Sequence, residues 1–303
     1  MSILNDAKLI LTPNAFKESV LYTIKPTPAT STNFDVVRLT GATRVNERKL
    51  IENVGNNIPR IEYLNGVNVI LIEPQKTNVL IKSEDLTDAV WSKSNTNISA
   101  NEVESPSGIV NADLFYPAST GTFRRILQAE TFETESVFSF FAKMNGKRYI
   151  STPNLVGSIN TIGVTFDLQE GEVAYTRPDE GITAEIIDYG NNWYRCVVHS
   201  DGTGTNRAYI LHSDSPNSTT ITASGTDGVY IWGVQLTNIA GLYSYIPTDA
   251  STVTRNADVI SVNPPTGTTE IKEYLLDGSI NTITSIPATY EIPVGEFLKI
   301  IMT

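Results

Sequence analysis

LNGVNVILIEPQKTNVLIKSEDLTDAVW, residues 64–91, is the stretch whose reading decides the fold. Two apolar runs, 67–72 and 79–81, flank the polar turn Glu73-Pro74-Gln75-Lys76-Thr77-Asn78. Proline locks φ and removes a donor, so the first run stops there and the chain turns. A short Val/Ile-rich run between turn signals is a buried strand rather than a helix. The stretch holds no catalytic pattern and reads as the lead-in to a large β-sandwich. Glu73 reads as a turn or pairing residue, not an acid catalyst. The one helical candidate in the chain follows at residues 84–90, with Ser83 as its cap and Glu84 and Asp85 in the first turn, where the helix dipole favours negative charge.

Downstream the pattern stays β. Segments 137–142, 149–152, 162–167, 172–176, 184–188, 193–199, 207–212 and 229–236 alternate or run apolar over four to eight residues, bounded by Gly, Asn, Asp or Ser. Such spacing without helical periodicity predicts an all-β antiparallel sandwich of jelly-roll, concanavalin-like type. Hairpins are expected at 168–171, at Asn191-Asn192 and at 201–204. Asn263-Pro264-Pro265-Thr266-Gly267 marks a boundary. The strands beyond it, turned at Asp277-Gly278, are near the lower limit for independent folding. The expected division is therefore an arm over 1–35, a sandwich over 36–262 with an irregular lead-in to 65, and a small β piece over 263–303.

Upstream, residues 1–35 carry short apolar stretches at Leu9-Ile10-Leu11 and Val20-Leu21-Tyr22, then the extended string Pro26–Asn33. That is too little apolar surface to fold alone. The arm is expected to order on the rest of the chain, on a sister copy or on a larger assembly. Arg38, Arg44 and Arg60 follow, and their rigid forks suit clamping backbone carbonyls or a carboxylate in an irregular segment.

The 303 residues are 40% hydrophobic and 9% aromatic, enough for a sizeable core. No apolar run approaches about 18 residues, and the start lacks a basic, then long apolar, leader pattern, so neither a membrane span nor a Sec-type signal is expected. Net charge is −11 with no compensating basic run, which disfavours nucleic acid as a partner. Cys196 is alone, so no disulfide framework or cysteine-rich metal site can form, and its apolar neighbours make it a core residue.

Chemistry is sparse. His199 and His212 sit on expected strands beside serines, without an HxH, HExxH or GxSxG pattern, and read as structural. Glu170 with Glu172 and Glu133 with Glu135 are carboxylate pairs at turns or strand ends, where solvated acids are ordinary. No cofactor is implied. Calcium at loops 201–205 or 214–217 is an alternative without an EF-hand motif behind it. The aromatics Trp91, Trp193 and Tyr194 are candidate stacking faces for glycan rings, with core packing as the competing role. Trp232 lies in VYIWGVQL, apolar on both faces, which indicates burial.

The order TRVN (at Arg44), LIE (Leu50-Ile51-Glu52), NIPRIEY (57–63), LIEPQKTN (71–78), SEDLTDAVWSKSN (83–95), FSFFAK (138–143), GNNWYRC (190–196), VYIWGVQL (229–236) and SYIPTDASTVTRNAD (244–258) resembles a bacteriophage virion module. It is similar to phage head-spike-fibre and tail-fibre proteins with a concanavalin-like, carbohydrate-binding-module sandwich, of the type found in phages and prophages of Bacteroidetes. The likeness covers roughly residues 35–260. Thr237 stands where the family often has Glu, and Lys49 where it often has Gly. The resemblance implies a non-enzymatic virion subunit, a head or tail fibre or spike. Such a subunit would be a homotrimer attached to other virion proteins, assembled in the host cytoplasm and able to adhere to host surface polysaccharide. A purely structural decoration or connector protein and a capsule-glycan depolymerase are the alternatives. The resemblance supplies no catalytic residues.

Overall fold

The computed structural model describes residues 6–14, 20–23, 34–132, 135–153, 161–178, 181–201, 204–238 and 240–303. The expected linker 26–33 lies outside them. The described chain is all-β, built of several antiparallel sheets. Contacts divide it into two units: residues 1–76 with 255–303, and residues 77–254.

This division corrects the expected one. The arm, the lead-in, the opening stretch and the C-terminal piece do not stand apart. They pool their strands in one sheet ordered Leu21–Thr23, Leu9–Pro13, Gly295–Met302, Ile271–Leu275, Ile280–Ile283. Val67–Ile72 pairs with both Gly295–Met302 and Arg60–Leu64. Register sets Leu9 opposite Met302, Leu11 opposite Ile300, and Ile70 opposite Phe297. The apolar run of the opening stretch is thus an interior strand of the first unit, not the start of the sandwich. The physical reason is burial: no single fragment has enough apolar surface, whereas together Leu9, Leu11, Ile61, Ile70, Ile72, Phe297, Ile300 and Met302 form one core. Beside this sheet lie the three strands Tyr290–Glu291, Val259–Val262 and Asp35–Val37, and the hairpin Ala42–Val45 with Ile51–Val54.

The second unit holds two six-stranded antiparallel sheets. The front sheet is ordered Thr96–Glu104, Val110–Pro117, Gly228–Asn238, Ser136–Asn145, Trp193–Ser200, Ile182–Gly190. The back sheet is ordered Glu172–Thr176, Ile162–Asp167, Tyr149–Pro153, Gly204–Ser213, Arg125–Phe132, Ser92–Ser94. Alternation sends Phe138, Phe140, Cys196 and Val198 of the front, and Ile126, Ile150, Val164, Phe166 and Ile210 of the back, into one shared core. In VYIWGVQL the core side is taken by Val229 and Ile231, then by Val234 and Leu236. The phase slips by one residue at a bulge where Gly233 has φ 62°. The slip turns Trp232 toward Phe141 and Tyr245, with ring centroids 5.4 and 4.8 Å away. That is why both faces of this strand are apolar.

Two further expectations change. Residues 84–90 form successive turns rather than a helix: Asp85 accepts the Thr87 N–H and Asp88 the Val90 N–H, short side-chain bonds that compete with a helical ladder. Ser83 caps nothing, being buried against the hydroxyl of Tyr245 at 2.7 Å. Residues 202 and 203 of the turn expected at 201–204 lie outside the described residues; the strands on either side, Trp193–Ser200 and Gly204–Ser213, belong to different sheets and do not pair as a hairpin. The hairpins at 168–171, Asn191-Asn192 and Asp277-Gly278 form as expected; both asparagines take positive φ, 52° and 61°.

Candidate functional site

The motifs LIEPQKTN and TRNAD, far apart in sequence, meet in the first unit as a buried ionic clamp. Asp258 receives Arg38 Nη1 at 2.8 Å, Arg60 Nε at 3.2 Å and the backbone N–H of Glu73 at 3.0 Å. Its own N–H donates to the Glu73 carbonyl at 2.9 Å. The Glu73 carboxylate pairs with Arg60 at 2.7 Å and with Arg255 Nη1, while Arg255 Nη2 donates to the Pro74 carbonyl at 2.5 Å. Arg38 also donates to the carbonyls of Thr40, Gly55 and Ile58. Arg44 reaches Glu52 and the Ile61 carbonyl. Of the three upstream arginines, Arg38 clamps irregular backbone, while Arg44 and Arg60 hold carboxylates and strand carbonyls, Arg60 Nη1 donating to the Thr43 carbonyl at 3.3 Å. Arg255 completes the set.

Arg38, Arg60, Arg255, Glu73 and Asp258 are all buried. Burial alone would depress Arg60, yet Glu73 and Asp258 outweigh it and hold its pKa above the ordinary value. Close by, Glu62 accepts the Val45 N–H at 2.9 Å, and burial pushes its pKa up to about 8. Each carboxylate is buried and met by two guanidinium groups, the arrangement of an ion-pair cluster that ties separate segments of the chain together.

The second unit has an open cleft of about 620 Å³ at one end of its paired sheets. It is lined by residues 135–137 at the start of Ser136–Asn145, 176–178 after Glu172–Thr176, 181–183 at the start of Ile182–Gly190, 199–201 at the end of Trp193–Ser200, and Ala240. His199 Nε2 lies 3.1 Å from Glu185 Oε1, its diagonal neighbour across the ladder. Gly181 is at φ +60°, a conformation that favours glycine, and the Asp201 carboxylate lies over it. Arg177 and His199 line the cleft together with the carboxylates of Glu135 and Asp201, a mix of donors and acceptors that suits hydroxyl-rich ligands.

The expected stacking residues are elsewhere. Trp91 is 1% exposed and donates Nε1–H to the Lys82 carbonyl at 3.0 Å; Trp193 is 3% exposed and donates to the Glu104 carbonyl at 3.1 Å. With each indole N–H satisfied by backbone, both rings serve as core and show no face to a sugar. Tyr194 is half-buried, its ring lying over Gly171. His212 is fully buried, stacked on Phe115 with centroids 3.7 Å apart. Cys196 is core, its thiol pushed up by burial. Of the carboxylate pairs, Glu133 lies outside the described residues, Glu135 lines the cleft, and Glu170 is drawn to Arg148 at 3.4 Å. Asp214 accepts the Thr222 N–H at 2.7 Å, and loop 201–205 is only partly described. No group of three or more metal-ligating side chains occurs among the described residues.

No protein-family model matches the chain, and no curated protein matches it.

Proposed function

We propose that the chain is a non-enzymatic structural subunit of a bacteriophage virion, a head- or tail-fibre or spike protein whose jelly-roll sandwich is displayed on the particle. One observation carries this reading. The ordered motifs that resemble the phage module are the residues that build the architecture rather than a reaction centre. LIEPQKTN and TRNAD close the clamp at the two places where the chain leaves and re-enters the first unit. FSFFAK, GNNWYRC and VYIWGVQL supply the core of the second. A chain whose most distinctive text is all scaffold is suited to being displayed and to bearing load.

Weak contact with host surface glycans, multiplied by many copies, is the accompanying role. The cleft around His199 and Asp201 is the candidate for it in place of the tryptophans. Antibody against the folded chain, applied to purified particles of a phage encoding it, should label them, and mass spectrometry should find the chain in every preparation. Particles that assemble fully without it would overturn the proposal. On a glycan array, saturable binding that falls in a variant combining His199→Ala with Thr183→Ala, while the fold is retained, supports the adhesive role. A complete absence of binding to host surface polysaccharide leaves the decoration or connector reading. Release of oligosaccharides from that polysaccharide would favour a depolymerase instead.

A further inference from the structure

The residues lining the second unit's cleft divide by burial. Glu135, Pro178, Gly181, Thr183, Asp201 and Ala240 form an exposed rim, whereas Ser136, Val137, Ile182 and Ser200 are buried and form the floor. Ser136 stands out among them. It is 1% exposed, and its hydroxyl has no hydrogen-bond partner. The register sets it between Ser200 on one neighbouring strand and Asn238 on the other, yet it bonds to neither. A buried hydroxyl left unpaired destabilises a fold, and folded proteins keep few of them. Alanine would occupy the same place without that loss, so the hydroxyl is accounted for where a bound molecule supplies its partner.

The hydroxyl is not set up as a nucleophile. Ser136 shares the core side of its strand with Phe138, whereas Val137, directly opposite His199, takes the other side. Imidazole and hydroxyl thus lie on opposite faces of the front sheet, and His199 cannot serve Ser136 as a base. The rim adds a rule of charge. Its exposed charged residues, Glu135 and Asp201, are both carboxylates. They belong to a unit with ten basic against twenty acidic residues, net −10. Of the cleft's cations, Arg177 is half-buried and already partnered, and His199 lies against Glu185. A ligand carrying a carboxylate, sulfate or phosphate meets like charge at the entrance, and one carrying only hydroxyls does not.

We propose that the cleft takes a sugar without negative charge, with Ser136 reading one of its hydroxyls at the floor and Glu135 and Asp201 turning acidic sugars away at the rim. Val137, Ile182, Pro178 and Ala240 supply apolar surface for the C–H face of the ring, and the few polar groups among them set its orientation. The selection is one of contrast: the serine rewards a hydroxyl in the right place, and the carboxylates penalise the wrong charge. The inference rests on the adhesive role assigned to this cleft above, and adds the class of glycan and the residues that select it.

The test uses hexoses paired with their uronates: glucose with glucuronate, galactose with galacturonate, mannose with mannuronate. Members of a pair differ only in whether the terminal carbon is a hydroxymethyl group or a carboxylate. Binding to the full chain is read by ligand-observed NMR titration at low salt. At least one neutral hexose should bind, with its uronate weaker by at least about tenfold. High salt should narrow that gap, because it screens the repulsion alone. Glu135→Gln combined with Asp201→Asn should narrow it too, by strengthening the uronate. Ser136→Ala should weaken the neutral hexose about fivefold. Its unfolding midpoint should stay at the wild-type level or rise, a combination that a serine with a purely structural role would not give. A uronate that binds as tightly as its neutral partner at low salt overturns the proposal while leaving the cleft adhesive, as does a Ser136→Ala chain that keeps wild-type affinity. Failure of every member of every pair to bind removes the adhesive role itself, and this inference with it.

Discussion

Replacing His212 with phenylalanine should remove a specific part of the acid sensitivity of the second unit. The imidazole is fully buried, and neither ring nitrogen has a hydrogen-bond partner among the described residues. Burial, with a smaller push from Lys147, lowers its pKa from 6.5 to about 3. A folded-state pKa below the unfolded one means that the unfolded chain takes up a proton first as the pH falls. The associated stability is therefore complete above pH 6.5 and is lost as the pH drops toward 3. At about 1.4 kcal/mol per unit, the loss is about 2 kcal/mol by pH 5 and about 5 kcal/mol at the limit. Phenylalanine keeps an aromatic ring on Phe115 and cannot titrate. Its larger volume costs a roughly constant amount at every pH, so the slope is the quantity to read and not the absolute stability. All three tryptophans, Trp91, Trp193 and Trp232, belong to the second unit, so denaturant unfolding followed by tryptophan fluorescence reports that unit alone. Wild type and variant should diverge progressively below pH 6.5. The only other histidine is His199, so the imidazole proton resonances give an independent check. Parallel stability profiles, or a His212 resonance titrating near 6.5, would refute the reasoning.

Other outcomes follow from the clamp and the packing. Asp258→Asn leaves Arg38 and Arg60 buried without their carboxylate and should cost the first unit about 3–5 kcal/mol, seen as faster amide exchange there with unchanged tryptophan fluorescence. Glu62, raised from 4.5 to about 8 by burial, contributes stability that is complete below pH 4.5 and lost as the pH climbs through 8. Glu62→Gln keeps an acceptor for the Val45 N–H and should flatten the decline of the first unit's stability between those values, measured by amide exchange. Gly228→Ala drives a methyl to within 2.1 Å of the Phe115 carbonyl, which is backbone and cannot swing aside, so a loss of at least about 2 kcal/mol is expected in the tryptophan-monitored transition. Trp193→Phe deletes the bond to the Glu104 carbonyl and should lower the unfolding free energy of the second unit by about 1–3 kcal/mol while leaving any glycan binding at wild-type affinity.

Local order was legible where side-chain pattern and turn chemistry act within a few residues. Val67–Ile72, Ile162–Asp167 and Glu172–Thr176 fall where their alternation and flanking turns put them. The strand Thr96–Glu104 was not, because it forms an edge of the front sheet with mostly exposed, polar residues and has no apolar period to read. Partners were the harder matter. Nothing in Val67–Ile72 says that its neighbour is Gly295–Met302, since a strand's pattern specifies a buried face and not which strand covers its edge. The pairing role of Glu73 was legible, yet its partners Arg255 and Asp258 were visible only as a second motif far downstream. The tryptophans misled because an aromatic at a turn or strand start signals a rim equally well whether its N–H meets solvent or a backbone carbonyl. The cleft had no signature at all, since five separate segments line it and none carries a pattern of its own.

The interrupted first unit also bears on how the chain is made. Gly295–Met302 bonds with Leu9–Pro13, Val67–Ile72 and Ile271–Leu275. All of residues 77–254 are translated between Val67–Ile72 and that strand. A nascent chain can close the second unit while the first still lacks its central strand, leaving Leu9, Leu11, Ile70 and Ile72 without their cover. During that interval the ribosome-bound chain presents a half-built sheet with an open edge, the state in which sister chains on one message are most prone to pair with each other.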